Sequence, residues 1–556
     1  MPNYLKYIFI ICAASLLFFP FLGHVHLFDW DEINFAECAR EMIVSKEYLR
    51  AQIDFMPFWE KPPFFIWMQV LAMKIFGVGE FAARFPDALA GVVTLVALFY
   101  AGKRIINERT AAWWVLIYAA TWLPHFYFHS GIIDPTFNLF IFLAILQVHF
   151  LGSSRNKALH ILLAGCFLGF AVLTKGPVAL LIAGLTLIVY LVANKGLNGY
   201  KLIHFLWIGL IALVPVATWL GLAVLHYGSA YGKWFLSEFL MYQVRLFSTE
   251  DADHGGPFYY HFIVLLIGCF PASVFLFQYS RKKISDSTGS ADFNKWMWIL
   301  FWVVLILFSV VKTKIVHYSS LCYFPLTYIA TVQINRLIDN PVSIKKWIRP
   351  VLVAIGSIIA ILITLLPLAG LYKDKLFPLI DDPFVRGNLC ADVAWSYSEC
   401  LWGIMYLAGI IITVVIMKKE FRKGLILLCC IQIMIIEVAL VHFTPKIEAI
   451  SQRAAIDYYK SLAGQDVYVH SLGFKSYATL FYSEKQPSLN PLYQSMRVEN
   501  KGKDLQPEAN EKWLVRGVLD KPAYFICKIQ DSAKYAIVPQ LIQTGSSNGF
   551  VFFRRK

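Results

Sequence analysis

Long apolar runs alternate with short polar segments along the first 443 residues of the chain. Each run has about 17 to 24 residues, enough for a helix to cross a hydrocarbon core of ~30 Å. Two stretches, 158–193 and 296–334, fit either one long kinked helix or two spans. The pattern predicts about thirteen membrane-spanning helices, near residues 7–27, 83–101, 111–128, 133–151, 158–174, 177–193, 202–225, 258–279, 296–311, 315–334, 350–371, 400–417 and 424–443.

The segment between the first two runs, residues 28–80, has a different pattern. It begins with "DWDEINFAECAREM", in which apolar side chains recur at helical spacing, at Ile33, Ala36, Ala39 and Ile43. This spacing favours an amphipathic helix at the membrane surface. A second short helix is expected after Pro62-Pro63, through "FFIWMQVLAMKIFG", because proline suits a first helical turn and the run is too short to span.

After about Thr444 the apolar runs give way to shorter alternating segments. "DVYVHSLG", "PAYFICKI" and "GFVFFRR" are typical of strands, and "AAIDYYKSLAG" and "FKSYATLFYSEK" of helices. We therefore predict an α-helical polytopic membrane domain over residues 1–444. It is followed by a small soluble α/β domain over residues 445–556.

Composition and charge support this architecture. Hydrophobic residues make up 58% of the chain and charged residues 15%, against roughly 25% charged in soluble proteins. The net charge of +14 would raise nucleic acid as a partner of a soluble protein. Here the Lys and Arg residues fall in alternate loops, so membrane topology explains them, with the N-terminus inside and the C-terminus outside. We expect no nucleic-acid partner and a monomer.

The ten cysteines show no metal-ligand spacing, and most lie in apolar runs. Cys390 and Cys400 share one polar segment on the predicted outer side, where they are either free or paired.

Ionisable and polar residues collect where the predicted helices meet the outer face. An ionised side chain at membrane depth costs at least ~2.5–3.5 kcal/mol on insertion scales and often marks a functional site. Interfacial anchoring and snorkelling are the structural alternative for any single one of them. The set comprises Asp31, Glu32, Glu60, Lys61, Asp134, Lys175, Arg245, His254, Lys312, Lys314, His317 and Tyr318.

The signs of these charges indicate which ligand and which reaction the site suits. The cations suit a phosphate or pyrophosphate at the membrane surface. The carboxylates suit a general base, a group that positions a nucleophile, or a group that stabilises positive charge on a sugar. An apolar tail, a phosphate and a carboxylate together predict group transfer from a lipid-linked phosphate.

The motifs resemble those of a known enzyme superfamily. "DEINFAECAREM", "FWEKPPFFIW", "GEFAARFPDALAG", "IIDPTF" and "LTKGP" occur in the expected order within residues 5–335. They are similar to the polyprenyl-phosphate-sugar-dependent glycosyltransferases of the GT-C superfamily, most of all to the branch of the lipid A aminoarabinose transferase. Protein O-mannosyltransferases are more distant members. The resemblance implies a membrane enzyme that transfers a sugar from a polyprenyl phosphate.

The resemblance also implies roles for individual residues. It makes Asp31 the catalytic carboxylate and Asp134 an acidic residue of the cavity, and we group Glu32 with them as catalytic. It assigns the donor phosphate to Lys61, Lys175 and Arg245. We add Lys312, Lys314 and Tyr318 to this phosphate-binding set.

A divalent metal is the open question among cofactors. No cofactor is required by the motifs, but in the aminoarabinose branch the carboxylate matching Glu60 can contact a metal, and His254 is a second candidate ligand. Two departures weaken the match. Asn34 stands where the family has Arg, and Tyr242 stands approximately where a His is usual.

The acceptor and the class of activity leave alternatives. The E-K-P-P motif favours lipid A or another envelope lipid or glycan as acceptor, on the periplasmic side of a bacterial inner membrane. Transfer to Ser/Thr hydroxyls of a protein is the second reading, and a transporter or flippase of a phosphorylated lipid is the third. Charges at one face, instead of at the midplane, argue against the transporter.

Overall fold

The computed structural model describes residues 2–58, 60–197, 199–248, 255–278, 288–341, 344–494 and 507–556. Most of these residues are helical. The helices up to the end of the last apolar run are α1 Asn3–Phe18, α2 Asp31–Ser45, α3 Phe64–Phe76, α4 Glu80–Ile105, α5 Glu108–Ala119, α6 Trp122–Tyr127, α7 Asp134–Ser153, α8 Lys157–Lys175, α9 Val178–Ala193, α10 Leu202–Tyr227, α11 Ser229–Ser248, α12 Tyr260–Gly268, α13 Ala272–Leu276, α14 Thr288–Val310, α15 Tyr323–Asp339, α16 Ile348–Leu371, α17 Lys373–Leu376, α18 Pro383–Leu389, α19 Cys400–Lys419 and α20 Phe421–Val438.

The chain is a multi-pass membrane protein. Within the described ranges, eight helices are long and apolar enough to cross a membrane, and three more apolar helices are shorter. Every one of the thirteen predicted runs contains helix, so the helical membrane architecture is confirmed, while the number of spans stays a prediction. The two ambiguous stretches are each divided into two helices.

The break between α8 and α9 has a local cause. Gly176 has a φ of +90°, which favours glycine, and Pro177 has no N–H to continue the α8 hydrogen-bond ladder. The break leaves Lys175 as the last residue of α8. Helix α8 packs against α7 and α10.

Both helices predicted for the first outer segment are present, as α2 and α3. The difference from expectation is the environment of α2. Its side chains are buried from Glu32 to Met42, on all faces of the helix. A helix at a membrane surface would keep one face in water. Here residues of the C-terminal region cover that face.

The C-terminal region forms a four-stranded mixed sheet, as the α/β prediction required. The chain's β-strands are β1 Gln52–Ile53, β2 Met56–Pro57, β3 Tyr468–Leu472, β4 Ala523–Lys528, β5 Leu541–Ser547 and β6 Phe550–Arg555. The strand order of the four-stranded sheet is β3-β4-β6-β5, with β3 parallel to β4 and the other pairs antiparallel.

Three strands of the four-stranded sheet, β3, β4 and β6, are the ones that the sequence predicts, and β5 is the strand of this sheet that it misses. Strand β5 is the edge strand, is mostly exposed and contains a bulge, so it lacks the apolar alternation of a half-buried strand. The helices of this region are α21 Thr444–Ser451, α22 Arg453–Ser461, α23 Ala478–Phe481, α24 Pro507–Arg516 and α25 Ser532–Ala536.

The connection between the two parts is helical. A π-helical turn, Ala439–Phe443, joins α20 directly to α21, so helix continues through residue 444. The division of the chain into domains at that residue therefore stays a prediction. Cys390 and Cys400 are both free thiols.

Candidate active site

Four helix ends bring ionisable side chains together. Asp31 is the first residue of α2 and Asp134 the first of α7, where the positive end of each helix dipole favours a carboxylate. Lys175 lies at the C-terminal end of α8, where the dipole favours a cation. His317 lies in the 3₁₀ turn Val316–Cys322, which follows α14. The fold thus supports the charge of three of the four residues.

Direct contacts link the four side chains, which we call the Asp31 cluster. Lys175 Nζ lies 2.5 Å from Asp134 Oδ1. His317 Nε2 lies 3.6 Å from Asp31 Oδ2 and 3.8 Å from Asp134 Oδ2, between the two carboxylates. The Asp134 side chain is 4% exposed and that of Asp31 is 33% exposed, so the cluster opens to solvent on the Asp31 side.

Two further predicted residues lie at the edge of this cluster. The Lys61 ammonium is close enough to His317 to interact with it electrostatically. The Lys175 ammonium lies 5.1 Å from the centre of the Tyr318 ring, within the range of a cation–π contact. The cluster and its edge therefore bring together two carboxylates, one imidazole and two ammonium groups.

Glu32 has different neighbours from Asp31, although the two are adjacent in the chain. Its carboxylate accepts two hydrogen bonds from Arg84, from Nε at 2.9 Å and from Nη2 at 2.8 Å. It also accepts the backbone N–H groups of Phe28 and Gly131. Both side chains of the pair are less than 10% exposed. These contacts are structural, and they fix the backbone three residues before Asp134.

A second buried carboxylate supports the same turn. Asp87 Oδ2 accepts the Ile132 N–H at 2.9 Å, and Oδ1 accepts the Thr136 hydroxyl at 3.3 Å. Asp87 thus holds the backbone N–H two residues before Asp134 and the Thr136 side chain two residues after it. Glu32 and Asp87 act on the position of Asp134 from two sides.

The sequence and the fold of this chain are similar to those of known proteins. A family model described as dolichyl-phosphate-mannose-protein mannosyltransferase matches residues 60–221. The undecaprenyl phosphate-alpha-4-amino-4-deoxy-L-arabinose arabinosyl transferase of Edwardsiella ictaluri (strain 93-146) is 26% identical over 446 residues, which cover 75% of this chain and 79% of that one. The protein of the same description from Pectobacterium carotovorum subsp. carotovorum (strain PC1) is 26% identical over 403 residues, 70% of either chain.

The comparison of structures decides the fold. The crystal structure of ArnT from Cupriavidus metallidurans bound to undecaprenyl phosphate superimposes with a TM-score of 0.77, at 19% identity, over 100% of this chain and 98% of that chain. The chain has the ArnT fold. The resemblance that the motifs indicate is therefore confirmed, and the matched range 60–221 contains Glu60, Lys61, Asp134 and Lys175.

Some predicted site residues lie elsewhere in this ArnT fold. Lys314 is buried, and its ammonium donates to the Phe308 and Ser309 carbonyls at 3.1 and 2.7 Å, so it caps the end of α14. Lys312 is exposed to solvent. Arg245 lies on α11 with its side chain outside the described residues, and His254 lies outside them altogether.

His317 is the residue that sequence reasoning did not assign. It appears in the ionisable run after α14, but nothing in that run distinguishes it from Lys312 or Lys314. Its contact with two carboxylates comes from packing of the 3₁₀ turn against α7, which is not visible in local sequence.

A metal at Glu60 receives no support from the described residues. Glu60 is half-buried and interacts electrostatically with Cys38. Among described residues, the group of three or more His, Cys, Asp or Glu whose ligand atoms lie within reach of one ion does not include Glu60.

A large apolar cavity lies in this ArnT fold beside the Glu32–Arg84 pair. Its volume is about 700 Å³. Its walls come from the chain after α1, from α6, α12 and α16, and from the end of α20. Glu32 and Arg84 are part of the wall, whereas Asp31, Asp134 and Lys175 are not.

Proposed function

We propose that this protein is an integral-membrane glycosyltransferase. It moves a sugar from a polyprenyl phosphate, such as undecaprenyl phosphate, to lipid A or another envelope lipid or glycan. The observation that supports this most is the meeting of Asp31, His317, Asp134 and Lys175, with Lys61 beside them, at the ends of membrane helices. The names of the relatives support the same class of donor.

Lys175 and Lys61 stabilise the leaving group. During transfer the bond between sugar C1 and the phosphate oxygen breaks, and the electron pair stays on the polyprenyl phosphate. Lys175 uses one of its three N–H donors on Asp134, which leaves two for phosphate oxygens. A positioned charge of this kind contributes about 10² to 10³ in rate. Arg245 is a third candidate for this phosphate.

Asp31 orients the incoming acceptor oxygen, and a new bond forms between that oxygen and C1. If the acceptor is a hydroxyl group, its proton passes to Asp31, whose partially exposed carboxylate faces His317. If the acceptor is a lipid phosphate, no proton needs removal, and Asp31 stabilises positive charge on the sugar ring. Asp134 holds Lys175 and His317 in place.

The cavity supports a lipid acceptor over a protein one. A pocket with almost entirely apolar walls and a charged pair at one side suits hydrocarbon chains that end in a polar head group. A Ser/Thr-containing peptide would need hydrogen-bonding groups along such a groove. The positive-inside pattern of the loops supports a periplasmic site in a bacterial inner membrane.

Transfer in a defined membrane tests this proposal. The full chain is reconstituted in nanodiscs with a synthetic polyprenyl-phosphate aminoarabinose and either lipid A or a Ser/Thr peptide, and products are read by mass spectrometry. We expect glycosylated lipid A and free polyprenyl phosphate. Asp31→Asn and Lys175→Ala should each lower the rate by about 10² or more.

Lys375→Ala is the matched control, because Lys375 is an exposed lysine on the same predicted face, and its rate should equal that of the wild type. If only the peptide gains sugar, the acceptor is a protein and not lipid A. If no new covalent product forms in the nanodiscs, and the protein in sealed vesicles moves the donor across the bilayer, the transporter is supported and the proposal is overturned.

A further inference from the structure

A second group of ionisable side chains lies beside the apolar cavity and shares no residue with the Asp31 cluster. It consists of His125 on α6, His129 just after α6, and Glu437 near the end of α20. One ligand atom of each residue lies within 4.8 Å of the others. In the part of the chain that the structure describes, this is the one such group found among His, Cys, Asp and Glu.

The hydrogen bonds of His125 determine which of its nitrogens carries a proton. Its Nδ1 lies 2.7 Å from the Ala119 carbonyl oxygen, which can only accept, so Nδ1 is the donor. In neutral imidazole, Nε2 is then a bare lone pair. This Nε2 lies 3.2 Å from Glu437 Oε1, and His125 is 0% exposed. Two lone pairs at this distance repel, so a proton or a metal ion must lie between them.

The geometry fits a metal ion well. Zinc binds imidazole nitrogen and carboxylate oxygen at about 2.0–2.2 Å, which in a tetrahedral site places two ligand atoms about 3.3 Å apart. The His125–Glu437 separation of 3.2 Å matches that edge. One ion between the two atoms would bond to both with little movement of either side chain.

His129 supplies the third ligand in the same manner. Its Nε2 lies 3.0 Å from the Leu17 carbonyl oxygen, and its Nδ1 lies 3.4 Å from the His125 carbonyl oxygen. The shorter contact places the proton on Nε2, which leaves the lone pair of Nδ1 for a metal ion. The rings of His125 and His129 stack, with centroids 5.5 Å apart and planes at 8°. In metal sites a histidine commonly donates its second N–H to a carbonyl, which fixes the tautomer, and both histidines here have that contact.

We propose that His125, His129 and Glu437 bind one divalent transition-metal ion of the zinc class. Two imidazoles and one carboxylate are donors that such ions prefer. His129 and Glu437 line the cavity, so the fourth coordination position faces it and takes water or an anionic ligand. The ion would link α6 to α20 directly before the π-helical turn Ala439–Phe443, a kind of interruption that is frequent at functional sites.

Cobalt titration of the full chain tests the site without reference to activity. The protein, purified in detergent and treated with a chelator, is titrated with Co²⁺, whose visible absorption reports four-coordinate binding. We expect one equivalent of Co²⁺ to bind to the wild type. His129→Ala and Glu437→Gln should each weaken binding by about a hundredfold or more, since each removes a direct ligand.

Two variants serve as controls. Glu60→Gln changes the carboxylate that the family resemblance links to a metal, and His226→Ala removes a histidine whose side chain is 58% exposed. Both should bind Co²⁺ as the wild type does. Loss of binding in Glu60→Gln, or full binding in His129→Ala and Glu437→Gln, overturns the proposal.

Thermal unfolding with and without Zn²⁺ is a second test of the site, for use if one of the variants folds poorly. Zn²⁺ should raise the Tm of the wild type by mass action and leave the Tm of Glu437→Gln unchanged. If the wild type takes up no metal, His125 and Glu437 share a proton instead, and the metal site is wrong. These outcomes do not depend on sugar transfer, so they are separate from a failure of the proposed function.

Discussion

Asp31 and Glu32 are neighbours in the chain, yet their carboxylates have opposite surroundings. Asp31 is partly exposed and faces His317, whereas Glu32 is buried against Arg84. The sequence predicts that acidic residues are important here, but it cannot separate the two. The partner that decides the role of Glu32 is 52 residues away in the chain. At this scale the sequence predicts residue types well and individual roles incompletely.

The first prediction concerns this pair of neighbours. Glu32→Gln removes one member of a buried ion pair, so the free energy of unfolding should fall by about 3–5 kcal/mol. Asp31→Asn breaks no buried pair, and its Tm should stay within error of the wild type. Thermal unfolding of the full chain in one detergent measures both. Equal Tm values for the two variants would show that the Arg84 contact is dispensable.

The second prediction concerns Glu41, which is buried on α2 outside the membrane-spanning helices. Burial and the neighbouring Glu37 raise the pKa of Glu41 well above its usual value. A raised carboxyl pKa stabilises the fold below the unfolded pKa of 4.5, and this contribution is lost as pH rises toward the folded pKa. Glu41→Gln should therefore raise the Tm more at pH 8 than at pH 5.

The side-chain amide that Glu41→Gln introduces still donates a hydrogen bond to Glu37, as the protonated Glu41 carboxyl does. Glu420→Gln is the control, since Glu420 is exposed, and its effect on Tm should be small at both pH values. A Glu41→Gln effect that is larger at pH 5 would contradict the assignment.

Helix ends, more than helix interiors, form the site. The sequence predicts several of these ends through proline and glycine. Pro135 follows Asp134 at the start of α7, and Gly176-Pro177 ends α8 after Lys175. The 3₁₀ turn with His317 has no comparable signal, because its position depends on its packing against α7 and α14. This is why the helix ends that carry Asp134 and Lys175 are predictable and the turn that carries His317 is not.

The third prediction concerns the packing of α8 on α10, which keeps Lys175 in place. A Cβ at Gly169 would lie 2.7 Å from the Ala212 carbonyl oxygen, a backbone atom that cannot rotate away. Gly169→Ala should destabilise the chain by about 1–3 kcal/mol. At Gly184 on α9 a Cβ would meet no atom within 4 Å, so Gly184→Ala should leave the Tm unchanged or slightly higher. Thermal unfolding compares the two variants, and equal losses would argue against tight α8–α10 packing.

Over the whole molecule, the first outer segment is held by the last part of the chain. Arg40 on α2 donates to the Lys485 carbonyl at 2.8 Å, and the Leu27 N–H donates to the Tyr482 hydroxyl at 2.7 Å. Lys485 Nζ lies 2.5 Å from Asp54 Oδ1. The sequence predicts the class of the C-terminal region. It does not predict this cover on α2, because contacts across more than 400 residues leave no local pattern.

The fourth prediction tests this contact. Lys485→Ala removes the ion pair with Asp54, in which both side chains are less than 25% exposed. Hydrogen–deuterium exchange of residues 31–45 should become faster, because the cover on α2 loosens. In the control, Lys521→Ala, the lost partner is Asp466, whose side chain is 88% exposed, so exchange should not change. Unchanged exchange in Lys485→Ala would mean that the cover holds without this pair.

The contacts between α2 and the C-terminal region also set an order of events during biosynthesis. Residues 26–54 enter the membrane surface early, but their partners between Glu448 and Tyr493 emerge from the ribosome only after the last apolar run. An unfinished chain would carry Asp31 on an uncovered helix with exposed apolar side chains. The helix that carries Asp31 is thus covered only when translation is complete. A nonsense mutation near the 3′ end of the gene should therefore be as harmful as an early one.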